Sequence, residues 1–321
     1  MHLRGICGTV LAALLLLLGL GAPARAATTT TAVAAHTLWQ WNVAGNTLHH
    51  ASTTDGLIGQ AVASIASRDA DLVALNELCK GQYTALVDAL RAAGWPQDSA
   101  NFARFEPSLP AGTAACRGQE YGSAVFSRAP LGSADRVTLP DDGNAEQRKL
   151  LCAPLRDTPH LRFCTTHITT SNEVSANGLA NNVNQLNAVL DTIEGFHAAG
   201  DTVLIAGDFN AQPHYSRLDP YYSRTLSTPS NASNTGSYRE LDDNDADHCL
   251  GYGEWTAAGT PGATPPCGQE YAKIDLMFVR EDRIVGAYSA DSLGISTACT
   301  GVAACSDHRI VVGSATVQYE L

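Results

Sequence analysis

The sequence predicts a mixed α/β fold: two mixed β-sheets packed together, with helices outside them. Three observations carry this. Short apolar runs of strand length outnumber segments with helical periodicity. Several neighbouring runs are joined by hairpins or loops. Helical periodicity separates only the early strands and the strand at Val203, which argues against an all-parallel sheet with a helix in every connection.

Taken in order, residues 37–45 ("TLWQWNVAG") have strand composition and end at a glycine. Leu57, Ile58, Ala61, Val62 and Ile65 recur at helical spacing, with Thr54 or Asp55 as the cap. Residues 71–78 ("DLVALNEL") form the next strand, and Tyr83, Leu86, Val87 and Leu90 then make one helical face that stops at Gly94. Three β runs follow: "YGSAVFSR", "RKLLCAPLR" and "LRFCTTHIT". Between the last two, Asp157-Thr158-Pro159 reads as a hairpin turn, which would set Cys152 opposite Cys164. A long helix is expected from about Leu179 to Phe196. Its inward face would be Leu179, Val183, Leu186, Leu190 and Ile193, with Asn181 and Asn184 outward. "TVLIAG", "KIDLMFV" and a final strand within "DHRIVVGSATVQ" complete the chain.

The N-terminus carries Arg4, an apolar run from Val10 to Leu20 and the small-x-small triplet Ala24-Arg25-Ala26. That is the pattern of a secretory signal peptide over 1–26, and the run is too short for a membrane span. Cys7 precedes the run, so a lipoprotein anchor is not expected. Residues 27–36 read as a disordered, Thr-rich leader, and 37–321 as one domain without repeats or charge blocks. The expected product is secreted, extracellular and monomeric. The formal charge is −12, and removing the signal with Arg4 and Arg25 makes it more negative by two. Such a chain does not grip nucleic acid through salt-driven contacts, although a hydrolase could still touch phosphates through a metal.

Apart from Cys7, the cysteines are Cys79, Cys116, Cys152, Cys164, Cys249, Cys267, Cys299 and Cys305. An even set in an exported chain points to disulfides, and no C-x-x-C pair supports zinc. Eight cysteines allow about a hundred pairings. Pairing each with its neighbour is the working expectation: 79–116, 152–164, 249–267 and 299–305.

Polar residues stand repeatedly at or near strand ends: Asn42, Glu77, His167, Asp208, Asn210, Asp275, Asp307 and His308. Each alone has an ordinary reading. A strand-end Asp or Asn makes a turn, Glu77 is a solvated charge, and Asp275 pairs with Lys273 or Arg280. Together they provide oxygen donors for a hard cation such as Mg²⁺, with Mn²⁺ or Ca²⁺ as alternatives. They also provide imidazoles that a carboxylate can hold in one tautomer. This is equipment for delivering water to a phosphate ester.

The segments "WNVAG", "NELC", "YGSAVFSR", "TTHIT", "GDFNAQP", "KIDLMFV" and "SDHRIVV" occur in the order found in the endonuclease/exonuclease/phosphatase superfamily. The chain resembles that superfamily from about Leu38 to Val312, and "GDFN" and "SDH" are the most specific pieces. The resemblance implies a four-layer α/β/β/α sandwich and a metal-dependent phosphoesterase. It implies Asn42 and Glu77 as the metal-site pair, with Asp307 a further ligand. Asp208 and Asn210 would orient water and hold a phosphate oxygen, Asp275 would orient His308, and His167 would stabilise the phosphate or the departing oxygen. Arg148 resembles an arginine near the substrate phosphates. Glu120 stands about where some members carry a glutamate that braces the histidine matching His167. Departures occur at Asn76, Ser123 and Asn182, the last standing where the superfamily commonly carries an arginine at the start of the long helix.

The substrate class stays open at this stage. An extracellular nuclease is the favoured expectation, with a sphingomyelinase-like phospholipid phosphodiesterase as the alternative. The latter would need an exposed aromatic anchor, for which only Trp255 looks available. A binding module that has lost catalysis is the third reading. The loop "DDNDADH" (242–248) lacks the full calcium-loop signature and reads as solvated.

Overall fold

The computed structural model describes residues 30–96, 99–259 and 264–321. The expected signal peptide therefore lies outside the described residues. In chain order the elements are β1 (Thr31–Asn42), α1 (Leu57–Ser67), β2 (Leu72–Cys79), α2 (Lys80–Ala92), the one-turn α3 (Ser99–Phe102), β3 (Ala103–Leu109) and β4 (Tyr121–Ser127). Next come β5 (Asp135–Thr138), β6 (Lys149–Leu155), β7 (Thr158–His167), α4 (Asn181–Ala198) and β8 (Thr202–Asp208). The last strands are β9 (Tyr238–Glu240), β10 (Asp275–Arg280), β11 (Ile284–Leu293) and β12 (Ile310–Glu320).

Two six-stranded mixed sheets result, ordered β11-β12-β1-β2-β4-β3 and β5-β6-β7-β8-β10-β9. Each has one parallel pair, β1/β2 and β7/β8, and antiparallel neighbours elsewhere. Leu38, Leu72, Leu161, Leu204, Met277 and Val311 belong to the apolar layer between the sheets. Trp39, Trp41, Ile65 and Leu86 form the layer under α1 and α2, while Leu186, Val189, Ile205 and Phe278 form the one under α4. The expected sandwich is thus present, with helices on both outer faces.

The inter-sheet layer is not uniform. Toward the ends of β1 and β2 it turns polar, with Gln40, Asn76 and Asp275 all fully buried. Buried amides and carboxylates persist only when hydrogen-bonded. Gln40 Nε2 donates to Asp275 Oδ1 (2.9 Å) and to Asn76 Oδ1 (3.3 Å), so this polar plug ties the two sheets together at one rim.

Several expectations are corrected. Residues 31–36 are not leader but the start of β1, zipped antiparallel from Thr31↔Glu320 onward. The alternation of exposed and half-buried side chains in Thr31–Ala35 is that of a strand with one wet face. Leu179 precedes α4 and is 42% exposed, whereas Asn181 is buried, with Nδ2 donating to Ser171 Oγ (3.1 Å). The helix begins later because residues 177–180 form a side-chain-braced turn, in which Asn177 Oδ1 accepts from Leu179 N. Neither Thr54 nor Asp55 is the N-cap of α1. Gly56 takes that place at φ 105°, with Asp55 Oδ1 accepting from Leu57 N (3.3 Å). Asp242 and Asp243 are fully buried, so the acidic loop is solvated only in its later part.

All four neighbour disulfides are present: 79–116, 152–164, 249–267 and 299–305. Cys152 and Cys164 are direct cross-strand partners in β6 and β7. The 299–305 bridge closes a short loop immediately before Ser306-Asp307-His308. Replacing both of its cysteines with serine is expected to cost about 2 kcal/mol on loop-closure grounds. A lower midpoint in thermal melting checks it, with a parallel loss of turnover if the loop positions His308.

Candidate active site

The rim is built from β8 outward. Val203, Leu204, Ile205 and Ala206 are buried on both faces of the strand and hold it rigidly. Gly207 follows because β7 passes too close for a side chain: an added Cβ would lie 2.2 Å from Thr166 O. Asp208 then emerges fully buried, its backbone N–H donating to Asn76 Oδ1 (2.9 Å). The Asn76 amide also donates to Ser123 Oγ, Thr165 Oγ1 and Thr166 O, so it is a hub rather than a surface variation.

Asn42, at the end of β1, donates through Nδ2 to Glu77 Oε1 (3.1 Å) and to Asp208 Oδ2 (3.0 Å). Its Oδ1 accepts from Ala44 N. Two carboxylates from different sheets therefore converge on one point. Glu77 sits at φ 58°, where the β2/β4 register shifts between Leu75 and Leu78. Asn210 is at φ 46°, with its N–H on Asp208 Oδ1 (2.9 Å) and Nδ2 on Ile168 O (2.8 Å). Left-handed backbone costs about 1–3 kcal/mol at such residues and is stored where position matters.

Two imidazoles flank Asp208. His308 Nδ1 lies 2.7 Å from Asp275 Oδ2, and its Nε2 lies 3.9 Å from Asp208 Oδ2. His308 N donates to Ser306 Oγ, which donates to Asn42 O (2.7 Å). His167 Nε2 is 3.5 Å from Asp208 Oδ2. Burial alone would lower His308, but the charge and hydrogen bond of Asp275 prevail and push it up to about 10. Burial, with the charges of Arg148 and His308, holds His167 well below the usual imidazole range. Burial and the nearby Asp275 charge push Asp208 up to about 7, against the pull of His308. The two histidines are thus driven to opposite protonation states, the pattern that separates an acid from a base or acceptor.

Of the residues singled out in the sequence, Asn42, Glu77, His167, Asp208, Asn210, Asp275 and His308 meet at this rim. Arg148 lines the adjoining pocket with Glu77, Glu146 and His167. Its Nη1 lies 3.0 Å from Glu146 Oε1 without aligning as a hydrogen bond, and Nε also lacks a partner. Asp307 is exposed beside Ser306, and its charge helps keep His308 protonated. Glu120 does not brace His167. Its backbone carbonyl accepts from Lys80 N (2.9 Å) and its carboxylate faces Lys80 Nζ (3.7 Å), which turns it toward α2. Nor does Asp275 pair with Lys273, which contacts Asp242 (2.8 Å) and Glu240 (3.5 Å). Trp255 is not a free anchor: Arg309 stacks 3.5 Å over its ring, and Tyr271 meets it edge-on.

The sequence reading missed Gln40, Asn76, Ser306 and Thr256 as positioning residues. Thr256 Oγ1 accepts the N–H groups of Ile274 and Asp275 (both 3.0 Å). The available signal was a polar residue inside an otherwise apolar strand, as in "LWQWN" and "ALNEL".

The donor set fits a hard cation. Glu77 and Asp208 place oxygens on either side of the Asn42 amide nitrogen, and the buried carboxylates Asp208 and Asp275 face a single charged imidazole. Asp208, Asp275 and His308 also bring ligand atoms within 4.8 Å of one another. Both Asp275 oxygens are already engaged, by His308 and Gln40, and both Asp208 oxygens accept from Asn42 and Asn210.

The Endonuclease/Exonuclease/phosphatase family model matches residues 39–308. No functionally curated protein matches the chain. Among solved structures, the human Nocturnin catalytic domain with bound sulfate superposes with a TM-score of 0.60 at 12% identity, covering 91% of this chain and 97% of that one. D. rerio TDP2 complexed with single strand DNA product gives 0.55 at 18%, covering 87% and 98%. An endonuclease/exonuclease/phosphatase protein from Beutenbergia cavernae gives 0.53 at 21%, covering 88% and 72%. At these identities the likeness establishes the fold alone, and the family model extends it through every rim residue from Asn42 to His308. The chain therefore belongs to the endonuclease/exonuclease/phosphatase family, whose fold implies a metal-dependent phosphoester hydrolase.

Proposed function

We propose that this chain is a secreted phosphodiesterase that uses a divalent cation, Mg²⁺ in the first instance, and acts on nucleic acid. The observation that carries the reading is the convergence of Glu77, Asp208, His167 and His308, from both sheets, on one rim. Glu77 and Asp208, with Asn42 beside them, would hold the cation, which when bound neutralises charge gathering on the phosphate oxygens. Asp307 would take part from the exposed side. Asp208 and Asn210 orient the attacking water, and His308, held by Asp275, carries a proton at Nε2. His167 and Arg148, which line the adjoining pocket, would face the phosphate, where donors matter most as charge develops.

Three facts support export. The N-terminal residues have the signal pattern, the four disulfides suit an oxidising compartment, and among the described residues no helix is long and apolar enough to cross a membrane. The nucleic-acid preference draws on fold analogy with TDP2, whose structure holds a single-strand DNA product. The phospholipid reading loses its anchor, because Trp255 is engaged by Arg309 and Tyr271.

The test is a panel of Mg²⁺, Mn²⁺ and Ca²⁺ against plasmid DNA, RNA, sphingomyelin vesicles and bis(p-nitrophenyl) phosphate. Hydrolysis of nucleic acid that a chelator stops is the expected result. Hydrolysis of vesicles alone would replace this reading with the phospholipid one, and no hydrolysis at all would favour a binding module.

A further inference from the structure

We propose that Arg217 binds a second phosphate of the substrate, next to the scissile one, so that the substrate class is a polyanionic phosphodiester chain. This rests on the phosphodiesterase reading above. After Asn210 the chain turns through residues 211–217 and brings Arg217 back against the rim, where Nη2 donates to Asn210 O (3.0 Å). The guanidinium lies over the Tyr215 ring, 4.4 Å from its centroid. The Tyr215 hydroxyl is itself fixed, accepting from Gln212 Nε2 (2.7 Å), and Gln212 Oε1 accepts from the Tyr252 hydroxyl (2.8 Å).

Arg217 is half-buried, and its Nε is buried with no hydrogen-bond partner. Among the described residues no carboxylate forms an ion pair with it. A cation withdrawn from water without a counter-ion is costly. Burial lowers its pKa, yet a guanidinium stays charged at any physiological pH. Arg104 offers the contrast: it donates to the carbonyls of Ala103, Leu131 and Gly132, which accounts for it structurally. Arg217 has one such contact and, among the described residues, no counter-ion, and its buried Nε has no partner.

The position separates this anion from the reacting one. His167 and Arg148 line the pocket assigned to the scissile phosphate, while Arg217 lies on the other side of Asn210, touching its main-chain carbonyl. A single-stranded nucleic acid supplies a second phosphate along its backbone. A choline phospholipid has one phosphate and a cationic head, which Arg217 would repel.

The experiment compares wild type, Arg217→Ala and Arg217→Lys on a short single-stranded oligodeoxynucleotide and on bis(p-nitrophenyl) phosphate, each over a salt series. Arg217→Ala is expected to lose about tenfold more kcat/KM on the oligonucleotide than on the small diester, mainly through KM. Its salt slope should fall by about one, and Arg217→Lys should restore that slope. Equal losses on both substrates would overturn the inference, because Arg217 would then only position Asn210, and so would an unaffected oligonucleotide rate. Wild type that cleaves the small diester but no oligonucleotide would overturn the substrate class while leaving the phosphodiesterase reading standing. Wild type that cleaves neither would defeat that reading and the inference with it.

Discussion

His308→Ala is expected to lower kcat on a phosphodiester by about 10³-fold, and Asp208→Asn by a similar factor, each leaving the fold intact. Alanine strands the buried Asp275 carboxylate and so lowers stability, but the backbone contacts that place the segment survive. The backbone carbonyl at position 308 still accepts from Trp41 Nε1, and the N–H there still donates to Ser306 Oγ. What is lost is a charged imidazole held by Asp275 within 3.9 Å of Asp208. Asp208→Asn keeps the shape but removes the negative charge that faces both histidines. Circular dichroism and thermal melting separate this loss from unfolding. Wild-type turnover in either variant would remove the assigned roles.

The same pair sets a pH signature. Asp275 holds His308 at about 10, against burial that would lower it. Asp275→Asn removes the charge that favours the imidazolium, so any alkaline limb that reports His308 should move to lower pH. The pH–rate profile checks this, and a limb that stays in place would show that another group controls it.

How much of this was legible before the structure depends on what a residue's neighbours in sequence can reveal. The expected strands that pack in sheet interiors were recovered, because burial on both faces leaves a continuous apolar run such as "VLIAG". β3, β5, β9 and β11 were not anticipated, and all four are sheet edges. An edge strand with one wet face carries Glu106 and Pro107, or Gly286 and Ser289, and its pairing is decided by a partner far away in the chain. Thr31–His36 reads as leader from sequence for the same reason, since its partner is β12 at the other end of the chain. At the site, residue type and order were enough to pick out seven of the groups that converge. Gln40, Asn76 and Thr256 were not, because their function is to hold other residues, which shows only once both sheets are stacked. Glu120 failed in the opposite way. Its place in the sequence matched, but Lys80 lies nearer than His167's side of the rim.

Lys273→Met should destabilise the protein by about 3–5 kcal/mol, a large share of the roughly 5–15 kcal/mol that holds a typical domain together. Lys273, Glu240 and Asp242 are each 0% exposed, with Nζ 2.8 Å from Asp242 Oδ2 and 3.5 Å from Glu240 Oε2. Methionine fits the space but leaves two buried carboxylates without their cation. The consequence reaches the active site, since Lys273 precedes Asp275 by two residues. Asp242 Oδ2 also accepts from Glu254 N, next to the segment whose Thr256 holds the Asp275 N–H. Even in the wild type two carboxylates face one ammonium. Burial pushes Glu240 up to about 8 from its ordinary 4.5, with Lys273 opposing and Asp242 adding to the rise. The folded state therefore keeps a proton that the unfolded chain releases, and this group's contribution to stability declines as pH climbs from about 4.5 to about 8. Without Lys273 the decline steepens. Urea unfolding of the variant should show its smallest deficit against wild type near the acidic end of that window and its largest near the alkaline end. A pH-independent deficit would mean that methionine's packing, rather than the stranded charges, sets the loss. Adding Glu240→Gln and Asp242→Asn to Lys273→Met should then recover part of the stability, because the cost lies in the unpaired charge.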